Sequence, residues 1–163
     1  MKQKHFKILS LLGLVLLLAA CGGRNENRKM VEASAIHEQI LDKHDSIYSV
    51  LQEQEQRVEK KLGKLSANDP DRVAYESMMR SINRSYNLLA SWMEGVADFP
   101  GSKHIHNSDS PHKHDPEKER TMKGMSDQEI LDLQKAYKTR LDEVGLKIKE
   151  LITTMDMYTK DEN

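Results

Sequence analysis

The sequence predicts an all-α protein, an up-down-up three-helix bundle of long amphipathic helices with a long His-rich loop between helices 2 and 3. Three observations predict it. Apolar residues recur every three or four positions along three long segments, the spacing that lines one face of a helix. The 4 prolines stand only at the breaks between those segments, at Pro70, Pro100, Pro111 and Pro116. No segment shows the two-residue alternation of a strand. With 31% charged and 5% aromatic residues, the composition also favours long helices over sheet.

Residues 1–20 stand apart from the bundle. Lys2, Lys4 and Lys7 form a basic lead, and residues 8–20 are an apolar run shorter than the roughly 20 residues that span a bilayer. Basic lead, short apolar core and small closing residues read as a secretory signal that is cleaved. The run ends in Leu18-Ala19-Ala20-Cys21. This stretch resembles the lipobox of bacterial lipoproteins, in which a leucine three before the cysteine and two small residues fit the lipoprotein signal peptidase. The resemblance implies that Cys21 is lipidated and becomes the first residue of the mature chain.

Cys21 is the only cysteine, so no intrachain disulfide is available and packing alone must hold the fold. Three of the 25 Lys and Arg precede Cys21 and all 26 Asp and Glu follow it, which leaves the remainder at −4. An acidic chain outside the cytoplasm is not expected to bind nucleic acid.

Residues 21–28 read as the lipidated cysteine and a short polar tether, with Gly22-Gly23 giving flexibility. Glycine rather than aspartate after Cys21 points, by the enteric sorting rule, to the outer membrane. Helix 1 is expected over about residues 29–66, with Ala33, Ile36, Ile40, His44, Ile47, Leu51, Gln54, Val58, Leu62 and Leu65 as its stripe. At 1.5 Å per residue it would be about 55 Å long, and a single apolar face of that length requires partner helices. It could also overhang helix 2 and pair with a second copy, giving a homo-oligomeric coiled coil.

Asn68-Asp69-Pro70-Asp71 is a break followed by a start: Asp69 can cap, Pro70 suits the first helical position and Asp71 favours the positive helix end. Helix 2 is expected over about residues 70–97, with Tyr75, Met79, Ile82, Tyr86, Leu89, Met93 and Val96 inward and Met78, Leu88 and Trp92 widening that face. Phe99-Pro100-Gly101 should end it. Residues 99–125 have no period and are rich in Ser, Asp, Asn, His and Lys, so they read as a loop. Helix 3 opens with the capping box Ser126-Asp127-Gln128-Glu129 and continues to about residue 157, with residues 158–163 as a frayed tail. Its stripe is Ile130, Leu133, Tyr137, Leu141, Val144, Ile148, Leu151 and Met155, and Gly145 interrupts it without a reason visible in the sequence.

The metal-ligating residue types fall in two places. His104-Ile105-His106 and His112-Lys113-His114 each place two imidazoles on one side of an extended chain. Imidazole suits Zn, Cu and Ni, so His104, His106, His112 and His114 are the first candidate metal site, fit for capture or buffering. An antiparallel turn about Asn68 sets His44 opposite Trp92 and Met93, and His37 opposite Phe99. His37, His44 and Met93, with Met122 or Met125, form a secondary candidate suited to Cu(I). Against it, seven residues separate the histidines, about 10.5 Å along a helix.

No phosphate-binding glycine loop, His-Glu-x-x-His or paired nucleophile and base is present, so no enzyme is expected. Glu38, Asp42, Glu53 and Glu55 read as a solvated helix face.

Ala35-Ile36-His37-Glu38, Ser91-Trp92-Met93 with Phe99, and the acidic start of helix 3 resemble small helical lipoproteins of unknown function from Gram-negative bacteria. That resemblance implies a helical bundle in the cell envelope and transfers no active-site residue. The expected function is therefore a lipid-anchored, non-catalytic binding or structural module with an envelope protein partner. The alternative is a metal-binding lipoprotein.

Overall fold

The computed structural model describes the backbone of residues 3–97, 99–100 and 116–160, with side chains from residue 28 onward except at 116, 119 and 160. Among these residues there are four helices and no strand: α1 (Gln3–Leu62), α2 (Arg72–Glu94), α3 (Pro116–Lys123) and α4 (Asp127–Lys160). The fold is all-α, with α1, α2 and α4 packed together and the α1–α4 interface the most extensive. From residue 28 onward, among the described residues, no helix is long and apolar enough to cross a membrane.

The α1 stripe is inward as its spacing dictates: Ala33, Ile40, His44, Leu51, Gln54 and Val58 are all buried, joined by His37. Three apolar clusters follow one another along the bundle. Ala33, Phe99, Ile130 and Leu131 form the first. Ile40, Leu51, Leu89, Leu141, Val144 and Ile148 form the middle one. Val58, Tyr75, Met78, Ile82 and Met155 form the last. Cross-helix pairs fix the register. His44 lies against Trp92 and Tyr48 against Tyr86, partners that move back along α2 as α1 advances. Glu32 pairs with Lys135, Lys43 with Asp142 and Arg57 with Asp156, partners that advance together.

Several boundaries differ from the sequence expectation. α1 runs unbroken from Gln3, so residues 22–27, expected as a tether, are helical in the uncleaved chain. No proline stands before Pro70, and three glycines, Gly13, Gly22 and Gly23, at about 1 kcal/mol each do not break so long a helix. α1 ends at Leu62 rather than Ser66, where the Lys64 and Leu65 amides bond three residues back, to Lys61 and Leu62, at 3.0 and 3.3 Å. α2 starts two residues late, because the Asp69 carboxylate accepts the Asp71 amide at 3.0 Å and holds Pro70 in the turn. It stops at Glu94, ahead of Phe99-Pro100: the Gly95 and Val96 amides turn back to Trp92 and Met93, each at 3.0 Å.

The span expected as a loop contains α3. Pro116 sits at its first position, where a missing amide costs nothing, and Arg120 and Lys123 complement its last turn. One apolar residue, Met122, anchors it in the core, and the Lys118 ammonium donates to the Glu94 carbonyl at the end of α2. A single apolar residue in eight leaves no period to read. At the C-terminus α4 continues to Lys160, where Tyr158 meets Tyr75 edge-on at 6.2 Å, so the expected fray at 158 is absent. Leu88, expected on the inner face of α2, is exposed, and Ser85 takes an inner position by bonding back to the Ser81 carbonyl at 3.0 Å.

Candidate functional site

The polar side chains placed in the core are His37, His44, Gln54, Ser85 and Gln134. α1 carries His37 and His44 on its inner face because both fall on the apolar stripe or beside it. His37 donates through Nδ1 to the Gln134 Oε1 of α4 at 3.1 Å, and its ring packs on Phe99 with centroids 5.5 Å apart. Gln134 is fully buried, and its Nε2 has no hydrogen-bond partner among the described residues. His44 donates through Nδ1 to the neighbouring Asp45 carboxylate at 3.1 Å. Its ring is stacked on Trp92 at 6.1 Å and on Tyr48 at 6.5 Å. The expected facing of His44 with Trp92 and of His37 with Phe99 is thus what the antiparallel turn produces.

The thioethers of the secondary metal candidate sit in packing roles. Met93 and Met122 are buried, and Met125 packs on the cluster of Ala33, Phe99, Ile130 and Leu131. Among the described residues, no group of three or more His, Cys, Asp or Glu side chains is placed to hold a metal ion. His104, His106, His112 and His114 lie outside the described residues, as does the Cys21 side chain.

Beside His44 the seam between α1 and α2 opens into a cleft of about 390 Å³ lined by His44, Tyr48, Glu55, Tyr86, Asn87 and Leu89. The Tyr86 hydroxyl donates to Glu55 Oε2 at 2.9 Å, and the Tyr48 and Tyr86 rings meet at 5.3 Å, tilted by 55°. Burial pushes the Tyr86 phenol well above its ordinary range, and the bond to Glu55 and that carboxylate's charge push the same way. Glu55 is therefore a cross-helix acceptor and not the purely solvated side chain expected from the sequence.

Of the cleft residues, His44, Tyr86 and Leu89 fall on the apolar stripes visible in the sequence, whereas Tyr48 and Glu55 do not. Gln134 left no trace there, since a lone glutamine beside Leu133 has the appearance of a surface residue. No family model matches the chain, and no curated protein or solved structure is significantly similar to it.

Proposed function

We propose that the chain is a lipid-anchored protein of the cell envelope, held in the outer membrane through Cys21, whose helices form a non-catalytic binding or structural module. The observation that carries this is Leu18-Ala19-Ala20-Cys21, the sole cysteine, standing directly after a basic lead and an apolar run. In this reading the helices form an up-down-up three-helix bundle, α1, α2 and α4, with the His-rich span and α3 connecting the last two. Cleavage before Cys21 leaves few residues between the lipid and the first core residue, Ala33, so the bundle lies close to the membrane surface and offers its outer faces to an envelope protein partner. Mass spectrometry and fractionation of the parent and Cys21→Ser test the anchor. The parent should carry the mass of its acyl chains and sediment with membranes, and the variant should do neither. Equal mass and equal soluble distribution would overturn the proposal.

A second reading is favoured by the two His-x-His pairs. His104, His106, His112 and His114 would capture or buffer Zn, Cu or Ni, each pair offering two imidazoles to one ion. Calorimetric titration of the chain with each metal at neutral pH should show stoichiometric binding that is lost when all four become alanine. Equal binding by parent and fourfold variant would end this reading.

A further inference from the structure

The cleft between α1 and α2 combines three features that one ligand chemistry satisfies. Three rings line it in succession, His44 stacked on Tyr48 and Tyr48 tilted against Tyr86, with centroids 6.5 and 5.3 Å apart. The Glu55 carboxylate also lines it and accepts from the Tyr86 hydroxyl through Oε2. Among the described residues, no lysine or arginine lines it. The carboxylates that act on the Tyr86 phenol, Glu55 and Glu59, both come from α1. Aromatic faces present negative charge, and a carboxylate beside them adds to it. The local potential is thus negative on both counts, in a concave space large enough for a small organic group.

We propose that the cleft framed by Tyr48, Tyr86 and Glu55 binds an alkylammonium group. The cation rests in the angle between the two tyrosine rings, and Glu55 Oε1 accepts its N–H or faces its charge. The Tyr86 hydroxyl, by donating to Oε2, fixes the carboxylate so that Oε1 points at the ligand. His44 donates to the Asp45 carboxylate and stacks on Tyr48 beside the site. The site does not depend on the anchor at Cys21, and it stands or falls independently of the envelope reading. Two sources can supply the group: a free small amine, or the ethanolamine or choline headgroup of a phospholipid.

The test is titration of the full chain in non-ionic detergent with choline chloride and with ethanolamine, followed by Trp92 fluorescence and tyrosine ring NMR shifts, with sodium chloride as the ionic control. Saturable binding is expected, weakened about tenfold or more in Glu55→Gln and in Tyr48→Leu. Far-UV circular dichroism of both variants should match the parent. Because Glu55→Gln keeps an acceptor for Tyr86, it removes charge while sparing the fold. Non-saturating shifts equal to those of sodium chloride, or equal affinity in parent and Glu55→Gln, would overturn the proposal. Flotation of Cys21→Ser with phosphatidylcholine or phosphatidylglycerol vesicles then separates the sources. A preference for choline lipid that free choline reverses assigns a headgroup, and saturation by free choline without that preference assigns a soluble amine.

Discussion

His37 and Gln134 are polar groups in the interior of the α1–α4 interface, and their hydrogen bond is what makes that burial tolerable. A buried donor deprived of its acceptor costs about 1–3 kcal/mol, whereas removing both partners together is close to neutral. Gln134→Met should therefore lower the stability of the chain by that amount in urea denaturation, and His37→Leu with Gln134→Met should restore most of it. The double variant also disposes of the Gln134 Nε2, which has no partner among the described residues. A double variant no better than the single one would mean that the pair does not act as a unit. Tyr86 offers a second residue-scale test, through pH. Its phenol is held protonated by burial and by Glu55, so the folded state keeps a proton that the unfolded chain releases near pH 10. The stabilisation is complete below that point and is lost as pH rises through the alkaline range. Urea midpoints should hold up to about pH 9 and fall from about pH 10 upward, less steeply in Tyr86→Phe. Tyr137, raised by burial as well, supplies part of the remaining slope.

At the scale of the elements, Gly145 explains an oddity of α4. A Cβ there would stand 3.1 Å from the Ile47 Cδ1 and 3.5 Å from the Lys43 Cε of α1, so the missing side chain lets the two helices approach. Helix propensity favours alanine over glycine by about 1 kcal/mol, and the mobile Ile47 tip can yield a few tenths of an ångström. Gly145→Ala should thus be near neutral, while Gly145→Leu should cost about 1–3 kcal/mol by forcing α4 away from α1, read as a lower urea midpoint. The stripes of α1, α2 and α4 could be read from the sequence because burial there is set by apolar spacing. The capping box could be read too: the Ser126 amide donates to Glu129 at 2.7 Å, and the carboxyl lies below its usual range for that reason. What could not be read was set by contacts across helices. Gly145 is accounted for only by the approach of α1, α3 carries one apolar residue, and Glu55 and Gln134 owe their places to Tyr86 and His37 on facing helices.

At the scale of the whole molecule, the three apolar clusters are joined rather than stacked as separate cores. Tyr86 packs on both the middle cluster and the cluster around Ile82, and Ile36 packs on both the middle cluster and the one around Phe99. Side chains shared between neighbouring clusters transmit loss of packing, so the packed part of the chain should unfold as one cooperative unit. Trp92 is the only tryptophan and packs against the middle cluster, while Ile82 lies in another and is fully buried. Ile82→Ala removes buried methyl and methylene groups and leaves a cavity, at a cost of about 2–5 kcal/mol. If the clusters are coupled, the urea midpoint read from Trp92 fluorescence moves down by the same amount as the midpoint read from helical circular dichroism. If they are independent, Trp92 keeps the parental midpoint while part of the helical signal melts early. Coupled behaviour is the expected outcome, because α1 and α4 lie against each other through all three clusters and α4 is a single unbroken helix from Asp127 to Lys160.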